Sequence, residues 1–286
     1  MAADGTAAAL EQIESLRFSH EVRLLGEIRR RFGAIPLMDF DASERMLDRR
    51  KRDLLGDAVR ITEDLLPDVH AVYRTCLKRA GGALLGDLFV QQSPSYNASV
   101  FAHDRRFDIL VHSALLRDFA PDELHFVFGH ELGHVLFRHN AIPVREILAG
   151  TEGLPAEAAR LLLSWSRAAE ISADRIGLLC CGALSAAAGA LFKTASGLPG
   201  IDTSRVLSSF RRQYDALEKQ IHKDADGESW RRTHPMIPIR FKAMELAALD
   251  IIALACGSAG FSKRGFQGVD RQISTILSAL ETVEAA

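Results

Sequence analysis

Residues 121–138 read as a helix that is apolar on every side and nevertheless carries two histidines and a glutamate. Pro121 opens it at the first turn with Asp122-Glu123 beside it, which suits the positive end of a helix. Phe126, Phe128, Leu132, Val135, Leu136 and Phe137 spread round the circumference, and a helix apolar all round is buried. Burying His130, Glu131 and His134 in such a helix is costly unless something charged satisfies them. His130 and His134 are four apart, so their rings leave one face within about 40° of each other and can reach one tetrahedral zinc. Glu131 lies about 100° round the helix, placed to reach a water on the metal. Gly129 and Gly133 share another side, where a second backbone can approach closely; ordinary tight helix packing is the alternative.

A catalytic zinc takes three protein ligands and keeps a fourth position open. The continuation x-x-G-x-x-H is absent, because Phe137 stands where its glycine would be and Asn140 where its ligand would be. His139 is too oblique to join His130 and His134 and is assigned to the helix C-terminus. The better third ligand lies in Glu170-Ile171-Ser172-Ala173-Asp174-Arg175. Glu170 and Asp174 are four apart on a helix, where like charges repel, and their neighbours Ala168, Ala169, Ile171 and Ala173 suggest burial. Glu170 on zinc and Asp174 accepting the N–H of a liganding histidine would satisfy both carboxylates. The alternative is a surface acidic patch answered by Arg167 and Arg175.

The rest of the chain narrows the class. A net charge of −2 and a pI near 6.6 leave no basic field for nucleic acid, and the runs Arg29-Arg30-Arg31 and Arg49-Arg50-Lys51-Arg52 read as solvated helix faces. Cys76, Cys180, Cys181 and Cys256 contain no C-x-x-C pair and read as small buried residues in a reducing compartment. No secretory signal is expected. The apolar stretches Ile176–Phe192 and Ala247–Phe261 are short and alanine-rich, and read as core helices rather than membrane spans.

Helical spacing dominates residues 1–80, with Ile13, Leu16, Val22, Leu25 and Ile28 recurring between charges, a second helix behind Asp41 stopping near Gly56, and a third from Pro67 to Gly81-Gly82. Three short strands follow at Leu88–Val90, Tyr96–Ala102 and Phe107–Val111, the last two antiparallel about Asp104-Arg105. Further helices are expected at 121–138, 155–190, 202–222, 236–256 and 269–283, with 223–229 as an exposed loop. The expectation is a mostly helical α+β protein with a small three-stranded sheet. Its parts are an N-terminal helical extension at 1–64, a core at 65–260 and a C-terminal helix packed on it at 261–286.

Taken together, the motifs resemble those of the HtpX-like and CAAX-prenyl-protease zinc peptidases, which are gluzincins. The resemblance rests on His130-Glu131-Leu132-Gly133-His134 followed by Glu170-x-x-Ala173-Asp174-Arg175. Upstream it includes Asn97-Ala98, and Val111-His112-Ser113-Ala114-Leu115-Leu116 leading into Asp122-Glu123-Leu124. Downstream it includes Thr233-His234-Pro235 with Arg240 six positions after the histidine, so it spans about residues 65–250. It implies a gluzincin-type core with one Zn2+ on His130, His134 and Glu170, Glu131 as catalytic base, and Asp174 behind the ligands. The strand through Asn97 and Ala98 resembles the family's edge strand, against which an extended peptide lies. His234 resembles the family's downstream histidine near the metal and is the candidate partner of the oxyanion; a surface histidine is the alternative. Arg240 either touches substrate or pins the His234 loop. Ser99 and Asp104-Arg105-Arg106 depart from the family's aromatic residue and Gly-rich hairpin. Many members of the family are membrane proteins, whereas this chain has no convincing span. The implied protein is a soluble, cytoplasmic endopeptidase acting on protein or peptide substrates. Its rival is a zinc-stabilised scaffold, or a latent enzyme released by a regulatory protein partner.

Overall fold

The computed structural model describes residues 11–32, 40–81, 84–104, 106–150, 154–200, 202–221, 235–256 and 263–281. His234 and the 223–229 segment lie outside these residues, and so do the expectations attached to them. The chain is mostly helical with a small mixed sheet, an α+β arrangement. In order it runs α1 (Ser19–Phe32), α2 (Phe40–Asp57), β1 (Val59–Arg60), α3 (Pro67–Arg79), β2 (Leu85–Gln91), β3 (Ala98–His103) and β4 (Arg106–His112). It continues with α4 (Ser113–Asp118), α5 (Pro121–Leu136), α6 (Val144–Gly150), α7 (Ala156–Cys181), α8 (Leu184–Ser196), α9 (Thr203–Ile221), α10 (Ile237–Ala255) and α11 (Lys263–Glu281).

The sheet has four strands rather than three, in the order β1-β2-β4-β3. β2 pairs with β4 in parallel, β3 pairs with β4 antiparallel as expected, and β1 adds Val59 and Arg60 opposite Val90 and Phe89. Alternation along β4 sends Phe107, Ile109 and Val111 into the main core. The opposite face carries Asp108, which with Asp87 receives Lys51 Nζ from α2 at 2.5 and 2.6 Å. Lys51 therefore ties α2 across the sheet instead of standing on a solvated face.

The expected helix at 155–190 is two helices. α7 stops at Gly182, whose φ of 68° is a left-handed cap that a glycine adopts without strain, and whose N–H returns to Leu178 O at 2.8 Å. α7 spans two cores. Its second half packs against α5 and α8 within the core they share with the sheet, and its first half, with Leu162, Trp165 and Ala168, joins a second core with Phe18, Leu24 and Ile28 of the N-terminal segment and Ile273 and Leu277 of α11. Val22, read from its spacing as inward, is 48% exposed; the buried stripe of α1 runs through Glu21, Leu24 and Ile28 instead. Cys256 is exposed, whereas Cys76 and Cys180 are buried.

α5 and α7 lie unusually close. A Cβ on Gly133 would stand 2.7 Å from Ala173 Cα, and one on Gly129 would stand 2.6 Å from Cys180 Cβ. The two contacts run in opposite directions along the helices, so α5 and α7 are antiparallel. The small residues at 129, 133, 173 and 177 are what bring the Glu170–Asp174 turn up to His130 and His134. Both readings of Gly129 and Gly133 hold together: the two helices pack tightly, and the α7 backbone at Ala173 and Gly177 comes close to α5.

Candidate metal centre

α5 starts with Pro121 in its first turn, and the Glu123 carboxylate accepts the Ala120 N–H at 2.7 Å. Two turns later His130 and His134 leave the same face, with their Nε2 atoms 3.2 Å apart. From α7, Glu170 Oε2 lies 3.6 Å from His130 Nε2, and Glu170 Oε1 lies 3.5 Å from His134 Nε2. Ligand atoms of all three residues fall within 4.8 Å of one another. Bonds of about 2.0–2.1 Å to one tetrahedral ion give ligand–ligand edges of about 3.3 Å. The three measured separations fit that triangle, so this set could hold a metal with its fourth position open.

The carboxylate pair is held by charge. Asp174 Oδ1 lies 2.9 Å from His130 Nδ1, and Arg240 of α10 grips Asp174 with Nη2 on Oδ1 at 2.5 Å and Nε on Oδ2 at 2.8 Å. The same guanidinium places Nη1 3.4 Å from Glu170 Oε2. Arg240 thus lies against the carboxylates. Burial alone would raise the Asp174 pKa, but the charge and hydrogen bonds of Arg240, with those of His130, outweigh it and lower the value. Burial likewise works against a charged His130, and the hydrogen bond and charge of Asp174 with the charge of Glu170 turn the shift upward. At His134 burial dominates and holds the ring neutral, well below the ordinary imidazole range. Arg175 belongs to no surface patch. It is fully buried, donates to Asp270 of α11 at 2.5 Å and to Leu16 O at 3.1 Å, and lies over the rings of Phe18 and Phe266.

Glu131 follows His130 on α5, is 8% exposed, and lies close enough to His130, Glu170 and Arg240 to feel their charges. Desolvation, helped by the Glu170 charge, pushes its pKa up to about 7, against opposition from His130 and Arg240. A carboxyl near neutrality can both accept and return a proton at physiological pH.

β3 stands at the sheet edge beside α5. The His112 N–H donates to Asn97 O at 3.0 Å, so antiparallel alternation turns the backbone of Asn97, Ser99 and Phe101 towards β4 and that of Ala98, Val100 and Ala102 outwards. The Val100 carbonyl indeed receives Asn140 Nδ2 at 3.3 Å on that outer side. Asn97 is exposed just before β3, and its carbonyl is taken by β4.

His139 departs from its expected role. Arg138 takes a left-handed conformation with φ of 57°, which swings the following short 3-10 turn back beneath α5. His139 then meets His134 Nδ1 to Nδ1 at 2.8 Å instead of capping the helix end. Behind it lies Glu21 of α1, fully buried. Neither residue stood out in the sequence as part of the site. One signal was available: Glu21 falls in the apolar stripe of an amphipathic helix, where an acid needs a buried partner.

Fold and cluster define a class, a helical α+β protein in which an H-E-x-x-H helix and a carboxylate from its antiparallel neighbour converge. The sequence pattern of peptidase family M48 matches residues 65–151 and 146–248, and the chain belongs to that family of metallopeptidases. It is similar to the plastoglobule-localized metallopeptidase 48, chloroplastic, of Arabidopsis thaliana, at 30% identity over 178 residues, covering 58% of this chain and 51% of that protein. The chain therefore spans about half the length of this curated relative. No solved structure matches it. Among the described residues no helix is long and apolar enough to cross a membrane.

Proposed function

We propose that the chain is a zinc-dependent endopeptidase with a gluzincin-type core, using His130, His134 and Glu170 as ligands and Glu131 as general base. The triangle of ligand atoms at tetrahedral spacing carries this reading. Two imidazoles and one carboxylate are a donor set suited to catalytic zinc. Residues 65–260 form the peptidase unit, to which 1–64 and 261–286 add helices.

Bound zinc would acidify a water and polarise the scissile carbonyl. The protein does the rest. Glu131 takes the proton of the attacking water and returns it to the leaving amine. Asp174 and Arg240 hold His130 and Glu170 in place. An extended peptide pairs with the outward backbone groups of Ala98 and Ala102 on β3, and the Asn97 side chain reaches its backbone. His234, outside the described residues, is the proposed partner of the developing oxyanion on the strength of Thr233-His234-Pro235. The four free cysteines suit a reducing compartment, and a cytoplasmic location is proposed on that ground. A purely structural site has no need of a base such as Glu131, which speaks against a scaffold that cleaves nothing.

Cleavage of an unfolded protein such as casein tests the reading. Activity is expected to vanish on removal of metal by a chelator and to return with one equivalent of zinc. Cleavage indifferent to chelation would contradict it.

A further inference from the structure

The mechanism above leaves Glu21 and His139 unused. Glu21 is fully buried on α1, a helix far from the motif in sequence, yet its side chain converges on the back of the metal centre. Oε1 accepts Arg17 Nη2 at 2.6 Å and Nε at 3.0 Å, and Oε2 accepts the Ser172 hydroxyl at 2.5 Å. Ser172 sits between Glu170 and Asp174, and its oxygen in turn accepts the Phe18 N–H at 3.0 Å. The other neighbour of Oε1 is His139 Nε2 at 3.4 Å. That ring nitrogen is buried and makes no hydrogen bond of standard geometry to any described residue, and the ring is packed against Phe137 and Trp165. Burial alone would raise the Glu21 pKa; His139 and Arg17 outweigh it and hold the value at about 2, so the group is a carboxylate.

Proton placement follows from these contacts. If His134 binds a metal through Nε2, its one proton is on Nδ1. With the two Nδ1 atoms 2.8 Å apart, that proton is donated to His139, whose own proton must then sit on Nε2, facing Glu21. The opposite tautomer of His139 would donate to His134 Nδ1 and force the His134 proton onto Nε2, the atom the metal needs. A buried carboxylate facing Nε2 favours the first arrangement by attracting an N–H and disfavouring a lone pair.

We infer that Glu21 and His139 are positioning residues of the metal centre: the carboxylate on α1 fixes the tautomer of His139, which fixes the ring and tautomer of His134. Asp174 does the same for His130 directly, so each liganding histidine has a carboxylate behind it, one from α7 and one from the N-terminal helix. α1 is then a working part of the site. This inference rests on the reading of His130, His134 and Glu170 as the metal ligands.

Its test reads nitrogens, not turnover. In uniformly 15N-labelled wild-type protein titrated with zinc, long-range 1H–15N spectra distinguish protonated, unprotonated and metal-bound ring nitrogens. The expected result is His134 with Nδ1–H and a metal-shifted Nε2, and His139 with Nε2–H. His139 carrying its proton on Nδ1 in the zinc-loaded protein would overturn the inference while leaving the ligand set intact. Failure of the His130 and His134 Nε2 resonances to move with zinc would instead sink the ligand reading. Chelator competition adds a second readout: Glu21→Gln is expected to bind zinc about 10-fold more weakly than wild type. A Glu21→Gln protein that is folded by circular dichroism and binds zinc within twofold of wild type would also overturn the inference. If that variant does not fold, the wild-type spectra decide alone.

Discussion

Glu131→Gln is expected to lower peptide hydrolysis by about 10³-fold or more while leaving zinc binding intact. General-base catalysis contributes about 10²–10⁴-fold, and the amide has the shape of the acid without its basicity. Glu131 is buried beside the ligand triangle and is not one of its members, so ligand geometry is untouched. The same substitution is expected to stabilise the fold under alkaline conditions with chelator present. Burial raises the Glu131 pKa from 4.5 to about 7, so the folded chain holds this proton more tightly than the unfolded chain. Stability therefore falls as pH rises from 4.5 through about 7, by about 3 kcal/mol for a shift of that size. Glutamine removes the penalty, and thermal melts at pH 8 should show the variant above wild type. A cation at the proposed site would favour the carboxylate, so the acid limb of the pH–rate profile is expected below 7. A Glu131→Gln enzyme cleaving at wild-type rate would rule Glu131 out as the base.

The second large effect is on folding. Arg175 and Asp270 form an ion pair 1% and 6% exposed, joining α7 to α11. Asp270 also accepts the Ser19 N–H at 2.9 Å, so this pair gathers the start of α1 and α11 onto the helix that carries Glu170 and Asp174. Arg175→Met leaves a buried carboxylate without its cation and should cost about 3–5 kcal/mol. For a chain of this size the melting temperature should fall by roughly 5–15 °C. Adding Asp270→Asn removes the orphaned charge and keeps an acceptor for Ser19, so the double variant should recover part of the loss. Equal stability of Arg175→Met and wild type would show that α11 is not held by this pair.

The helix of His130, Glu131 and His134 was legible because its conflict is local: an apolar surface carrying two histidines and an acid can be read from one stretch of sequence. Glu170 and Asp174 were legible for the same reason, as like charges one turn apart among alanines. The sheet was harder. A two-residue strand such as Val59–Arg60 carries no period, and alternation along β2 and β4 shows faces but not which strands pair, so the parallel β2–β4 neighbours went unread. The break at Gly182 was hidden by apolar residues continuing on both sides of it. His139 required knowledge of the left-handed turn at Arg138. Glu21 required tertiary packing, since every group that satisfies it except Arg17 belongs to a distant segment.

The central claim is one metal held by two residues of α5 and one of α7. Zinc content by elemental analysis, on protein purified without chelators, tests it most directly when wild type is compared with Glu170→Ala. One zinc per chain in the wild type and little or none in the variant is the expected result. A wild-type protein without zinc that takes up none when it is supplied, or a Glu170→Ala protein that retains a full equivalent, would contradict it.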